Sequence, residues 1–533
     1  MNRISVFARR QRIKNLETWT IRAIAAEAFC LAIFPELAAV AVLVGIVAWF
    51  LRLQIDTKFK MRSLPFDVPV TIFIVLGAVS VFMSPARDFE LIYNYCEIVG
   101  LYALTYLLVG QNIRTPEQVR FLAKGLGAAL IFVVLYGYFQ YIFGVEISEM
   151  KWIDGEAFPE MRKRIFSTLE NPNVLAGYLD VMICIALGLL AKFGTRKQKF
   201  ILLAVIVALI VCLAMTYSRG AFLSLAIILV IYAFMYDWRI LTFLALVMGV
   251  LFYTDENLVE KVIEIFTTTN DTAEGLKVGI WVSTISMISD HPFIGVGWGA
   301  YKFLYPHYNY YLADSKILID NAHNLYLQTA AEVGIAGALS YFWYFFGTMF
   351  AAWRSSYEKV QESGSYFYNL FQAQFVKVFM ESKFLQEFAQ AKSMFMLRMA
   401  DLTHKILDKV SPSNETKTET KKTVKKKPEP ELVHHDELKF SSKKKPKDEK
   451  KSDDDNIDIQ KFAENISVFE PDRQQKIADR QFAAGMKLGI GLAFLSMALN
   501  GMSDDLLFNV PSSILMWMLG ALGAAINLFE NED

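Results

Sequence analysis

Residues 200–235 read FILLAVIVALIVCLAMTYSRGAFLSLAIILVIYAFM. Two apolar runs, each near the ~20 residues that cross a bilayer, meet at the polar turn Thr216-Tyr217-Ser218-Arg219-Gly220, where Arg219 is the single charge in the stretch. The pattern predicts two membrane-spanning helices joined by a tight turn. It recurs in both directions: runs near 20–35, 37–53, 66–83, 91–110, 119–143 and 172–191 precede the 199–216 and 219–236 pair, and runs near 238–253, 325–353, 484–500 and 508–527 follow it. The first two, coupled around Pro35, read as a hairpin or as one kinked element. The expected fold is an all-α polytopic membrane protein with about 12 transmembrane helices. It carries one large outer loop (254–324) and a cytoplasmic insertion (354–483), so residues 1–353 and 484–533 together make the transmembrane core.

Composition agrees. Hydrophobic types make up 54% of the 533 residues, above the roughly 45–50% of soluble domains. The formal net charge is zero, so no global field points to nucleic acid or to an acidic substrate. The four cysteines (Cys30, Cys96, Cys184 and Cys212) all fall inside apolar runs, where a thiol behaves as a small hydrophobe. Without Cys/His metal spacing, neither a disulfide framework nor a metal or other cofactor is expected. The basic leader Met1–Arg22 has no cleavage-like site after it, so the first apolar run reads as a retained helix.

Lys and Arg collect at three places: Arg3, Arg9, Arg10, Arg12 and Lys14; Lys58, Lys60 and Arg62; and Lys192, Arg196, Lys197 and Lys199. With twelve spans these share one side, which the positive-inside bias makes cytoplasmic. Residues 144–171, the loop 254–324 and the turn at Asp504 and Asp505 then lie outside. Within the insertion, Phe367, Phe371, Phe375 and Phe379 recur four apart with Lys377, Lys383 and Lys392 between them. This is an amphipathic helix that either packs on protein or lies in the membrane interface. Residues 411–455 form a Lys/Glu/Asp/Pro tract too polar to offset its ordering entropy.

Three polar clusters fall on the outer side. Arg164 through Asn173 precedes the sixth span; Asn171 as N-cap with Pro172 at the first helical position accounts for the Asn-Pro pair but not for Arg164. Arg219, in a tight outer turn, reads either as a cation snorkelling to headgroups or as a guanidinium that grips a phosphate bidentately. The third cluster runs from His291-Pro292-Phe293-Ile294-Gly295-Val296-Gly297-Trp298-Gly299 through Asp320-Asn321-Ala322-His323-Asn324 to Glu332-Val333-Gly334. Its glycines have no strand–turn–helix context, which excludes a dinucleotide fingerprint. His323, where the loop re-enters the membrane, is either a structural histidine or a general base.

These residues resemble a known group. Arg-x-x-x-Thr-x-x-Asn-Pro-Asn, Thr-x-Ser-Arg-Gly, His-Pro-x-x-Gly-x-Gly and Ala-His-Asn followed by Glu-x-Gly are similar to motifs of the O-antigen ligase superfamily. It also holds O-antigen polymerases and protein O-oligosaccharyltransferases. The resemblance runs from about residue 65 to 353 and resumes over the last two spans. It implies a bacterial plasma-membrane enzyme with its active site on the outer face. Such an enzyme moves a glycan, without a metal, from an undecaprenyl-diphosphate carrier to the hydroxyl of a glycolipid, glycan or protein. By the same resemblance Arg164 and Arg219 hold the diphosphate, His323 acts as base or orients the acceptor, and Asn171, Asn173, Asn324 and Glu332 support them. Lys277 stands where members often carry an arginine, and it lacks the planar fork. The 354–483 insertion has no counterpart in that pattern. The rival readings are a polymerase of the same superfamily and a transporter of the same lipid-linked glycan, although no internal repeat of the kind transporters show is visible.

Overall fold

The computed structural model describes residues 3–86, 88–144, 164–237, 239–242, 245, 271–309, 319–360, 454–504 and 509–531. Among these residues every regular element is helical. The chain divides into two compact units, Met1–Ser365 with Arg473–Asp533, and Tyr366–Asp472. Of the second unit only the start of one helix, from Asp454, is described; the Phe367–Phe379 stripe and residues 411–453 lie outside the described residues.

Local sequence sets the helix boundaries. α1 (Arg3–Cys30) and α2 (Pro35–Ile55) form an antiparallel pair, which resolves the first two apolar runs as a hairpin. The basic leader is part of α1, not a tail before it. It is held along α2, where Arg9 Nε donates to the Ile55 carbonyl at 3.1 Å and Arg52 Nη2 lies 3.3 Å from Glu17 Oε2. α3 (Asp67–Phe82) is a shorter apolar helix, and α4 (Phe89–Asn112) opens on Asp88, whose side chain accepts from the Glu90 N–H. α5 (Pro116–Phe143) and α7 (Arg196–Ala214) both begin with capping boxes, Thr115 with Gln118 and Thr195 with Gln198, which satisfy two orphan N–H groups apiece. Between them, α6 (Pro172–Lys192) begins with Pro172 behind the Asn171 cap, and α8 (Arg219–Met235) follows the polar turn. The apolar run 238–253 lies almost wholly outside the described residues.

The expected large loop contains two helices of its own, α9 (Asp271–Asp290) and α10 (Tyr301–Tyr308). α11 (Leu325–Val360) is interrupted at Gly334, whose φ of 72° and ψ of 172° are not helical. α12 (Asp454–Asn500) starts well before the expected apolar boundary at 484, and α13 (Val510–Asn531) is the last described helix. Eight of these helices are long and apolar enough to cross a membrane: α2, α4, α5, α6, α7, and the apolar parts of α11, α12 and α13. α3 and α8 are apolar but shorter. The molecule is thus an all-helical polytopic membrane protein.

α6 is the central helix, with nearly all of its side chains buried. It meets α12 at Gly188, Gly485 and Gly489, where a Cβ would strike the facing backbone. Small residues let helices approach in this way where lipid supplies no hydrophobic drive. A layer of rings around Trp517 binds α3, α4, α11 and α13, with Tyr344 stacked at 4.6 Å and Phe73 at 6.1 Å.

The two ends of the bundle differ in chemistry. At one end arginines cover helix ends. Arg62 donates to the carbonyls of Gly110 and Ile113, Arg114 donates to Lys60, and Arg120 pairs with Asp479 at 2.8 Å beside the rings of Phe193 and Phe482. At the opposite end lie the turns that carry the polar motifs.

Candidate functional site

The three motif clusters meet at that second end. Ile165 N–H donates to the Met215 carbonyl at 3.2 Å, which lays the segment before α6 along the turn between α7 and α8. Arg164 closes the same seam: Nε donates to the Thr216 carbonyl and Nη2 to Asn173 Oδ1, both at 2.6 Å. Burial pulls the Arg164 pKa down to about 10, against the pull of nearby Asp504. The rest of the segment is pinned from outside: Gln140 Oε1 accepts from the Ser167 N–H at 2.7 Å, Ser167 Oγ donates to Val133, and Thr168 Oγ1 donates to Ala32 in the α1–α2 turn.

Arg219 is placed differently. It is exposed at the first position of α8 and has no hydrogen-bond or ion-pair partner among the described residues. Gly220, next to it, lies against the turn after α12, since a Cβ there would come 2.6 Å from Ser503 Oγ.

That turn, Gly501-Met502-Ser503-Asp504, is the hub. The Gly501 carbonyl accepts from the Leu325 N–H at 2.8 Å, Met502 from Asn324 Nδ2 at 3.0 Å, and Ser503 from Lys277 Nζ at 2.8 Å. Asp504 Oδ1 lies 3.6 Å from His323 Nδ1, and Nε2 has no partner among the described residues. Asn324 also caps α11, its Oδ1 accepting from the N–H groups of Tyr326 and Leu327.

His323 is held from its preceding peptide. Ala322 N–H donates to Gln328 Oε1 at 2.7 Å, and Ala322 carbonyl accepts from Trp281 Nε1 at 3.0 Å. Gln328 Nε2 continues to Glu332 Oε1 at 3.0 Å. Glu332 is buried and faces the backbone N–H groups of Gly299 and Tyr301. At the break in α11 the His-Pro segment pairs with the exposed backbone. Val296 N–H donates to Ala331, Gly297 N–H to Glu332, and Ile335 N–H to Pro292. Gly334 fits because its φ is positive and Phe293 carbonyl lies where a side chain would start.

Among the described residues, four non-glycine positions have positive φ: Ser167 (53°), Glu170 (60°), Tyr217 (51°) and His323 (47°). All four fall in the three clusters. Such backbone costs about 1–3 kcal/mol per residue and persists where surroundings over-determine it, as at functional sites.

Of the residues singled out from sequence, Lys277, His323 and Asn324 contact the hub, and Arg219 stands next to Gly220, which abuts it. Arg164 and Asn173 form the adjoining seam. Asn171 and Glu332 act one layer back, as a helix cap and a loop anchor. Lys277 already gives one N–H to the protein. In the sequence Asp504 reads only as part of an outer turn; nothing in the linear sequence joins it to His323, which meets it only after the whole of α11 and α12 has intervened in the chain. His291 and His307 take no part in the hub.

Fold and site define a polytopic membrane protein with a cationic, histidine-bearing cluster at one end of a helix bundle. Residues 177–342 match the family model described as O-antigen ligase, so this part of the chain is similar to the O-antigen ligase superfamily. No curated protein matches the chain. Arg219, Lys277, His323 and Glu332 lie inside the matched segment, whereas Arg164, Asn173 and the 501–504 turn complete the site from outside it.

Proposed function

We propose that the protein is a glycosyltransferase that moves a glycan from undecaprenyl diphosphate to an acceptor hydroxyl on the outer face of a bacterial plasma membrane. The observation that carries this reading is that Arg219, without a partner among the described residues, adjoins the same turn that holds Lys277 and faces His323, at the end of the bundle opposite the arginine-capped one. In the reaction the acceptor oxygen attacks the anomeric carbon, the carbon–oxygen bond to the diphosphate breaks, and the lipid diphosphate leaves. The acceptor proton passes to His323 Nε2, while Asp504 near Nδ1 favours the tautomer that leaves Nε2 free and steadies the imidazolium. Charge growing on the leaving diphosphate is met by Arg219, whose fork suits two phosphate oxygens, and by the two remaining N–H groups of Lys277. Arg164, already committed to Thr216 and Asn173, adds field and holds the seam. Positioning and charge stabilisation account for most of such a transfer, because the leaving group is already good.

A ligase and a polymerase share this machinery and differ in the acceptor, a glycolipid or protein in one case and a second lipid-linked glycan in the other. The test is purified protein in nanodiscs with an undecaprenyl-diphosphate glycan and each acceptor class in turn. Release of free lipid diphosphate together with a joined product is expected with one class, and that class separates ligase from polymerase. Movement of the donor across a liposome membrane with no product would overturn the reading in favour of a transporter.

A further inference from the structure

Below the hub, inside the helical bundle, lies a polar cluster that the reaction does not use. Asp180 of α6 is fully buried. Its Oδ2 accepts from Asn500 Nδ2 at 2.9 Å and from Ser496 Oγ at 3.3 Å, and Ser224 of α8 contacts Ser496 through both hydroxyl and carbonyl at 3.1 and 3.3 Å. Asp180 Oδ1 is buried with no hydrogen-bond partner among the described residues. A carboxyl in a spanning segment is expensive, and an apolar residue of similar volume usually serves stability as well or better. Its place therefore calls for a reason other than stability.

Asn500 supplies that reason. It is the last residue of α12, and its carbonyl accepts from the N–H groups of Ser503 and Asp504, both at 3.0 Å. The same residue thus receives the buried link from Asp180 and closes the turn that holds Lys277, Asn324 and Leu325, faces His323 and abuts Gly220. We propose that Asp180 is a positioning residue of the site: through Asn500 it fixes the height and rotation of the 501–504 turn, and with it His323, Lys277 and Arg219. The inference deepens the glycosyltransferase reading and rests on it for the consequence to transfer. The mechanical part stands on the contacts alone. Asp180 touches none of the reacting atoms and acts by geometry, so an amide, which also offers an acceptor oxygen to Asn500, should serve in its place.

The full-length protein in nanodiscs is compared as wild type, Asp180→Asn, Asp180→Leu and Asn500→Ala. Two quantities are read: hydrogen exchange of the peptide spanning residues 498–504, and lipid diphosphate release. Asp180→Asn should retain both within about threefold. Asp180→Leu and Asn500→Ala should each raise exchange in the turn about tenfold or more and cut kcat at least tenfold. Their combination should be no worse than either alone, because each breaks the same link. Asn500→Ala keeps the test decisive if Asp180→Leu fails to fold. Equal loss in Asp180→Asn and Asp180→Leu would overturn the proposal in favour of a role for the charge. Unchanged exchange in Asn500→Ala would overturn it outright. If wild type transfers nothing, the functional reading fails while turn exchange still decides whether Asp180 positions the turn.

Discussion

Arg164 and Arg219 bear the same charge at the same end of the bundle, yet one is spent on protein acceptors and the other is not. Replacing Arg164 with Met removes two charge-assisted hydrogen bonds from a partly buried seam, so unfolding should ease by roughly 1.5–3 kcal/mol. Thermal midpoints in detergent will register this; an unchanged midpoint with lost donor binding would make Arg164 a ligand instead of a clamp. Arg219→Lys keeps the charge and loses the fork, and should weaken binding of a fluorescent lipid-diphosphate glycan about tenfold to a hundredfold. His323→Ala should leave that binding nearly intact and slow transfer by about 10²–10⁴. If His323→Ala abolishes binding and Arg219→Lys does not, the two roles are exchanged. Both residues stand out in the sequence because polar groups at the ends of apolar runs are costly and few. The partners Asp504, Gln328 and Trp281 do not, because each meets its target only after the chain has folded back over several helices. Arg164 was legible as unexplained, but its engagement with the Thr216 carbonyl was not, since a backbone acceptor leaves no mark on residue identity.

At the level of elements, the break in α11 is the feature most exposed to a single change. Gly334→Ala sets a side chain at φ 72° and against the Phe293 carbonyl. That backbone, open essentially only to glycine, alone costs about 1–3 kcal/mol, and the pairing of residues 292–297 with 331–335 must give way. Transfer should fall at least tenfold, whereas Gly127→Ala, which meets nothing within 4 Å, should be silent. Activity unaffected by Gly334→Ala would mean that the His-Pro segment does not shape the site. Hydropathy located α11 because most of the helix is apolar; it missed the break because a glycine inside a run carries no signal of its own φ. The Glu-x-Gly motif marked the spot, and its meaning emerged only with the loop docked on it. Length misled at α1 and α12, where helical backbone runs far into charged sequence; in α1 it is held there by side-chain contacts such as Arg9 with Ile55.

For the molecule as a whole, one end of the bundle is capped by arginines and the other carries the polar motifs, and the proposed orientation puts the arginine-capped end in the cytoplasm. A cysteine at Tyr308, in a background with Cys96 replaced by Ser, should react with an impermeant thiol reagent from outside intact cells, and one at Ser441 should not. Labelling of both from the same side would defeat the twelve-span arrangement. Deleting residues 411–455 should leave transfer intact, since the proposed orientation assigns that tract to the cytoplasm and the site to the outer face; complete loss in a well-expressed deletion would show otherwise. The helical membrane architecture was readable from apolar run length because a bilayer imposes it on the sequence. Which helix lies in the middle was not, because α6 is little more apolar than its neighbours and owes its burial to small residues facing α12.

The hub turn also sets an order of assembly. Its bonds to Asn324, Leu325 and Lys277, and its link to Asp180, all reach back across the chain from residues 500–504. During synthesis those residues leave the ribosome after every segment they bind. Until they are in place, His323 lacks the Asp504 carboxylate and Lys277 lacks the Ser503 carbonyl, so the proposed site stays unassembled however long the ribosome takes over the residues between α11 and α12. On that reading the arrival of residues 500–504 is the activating event, and quality control that removes products truncated before them removes nothing that could have spent donor.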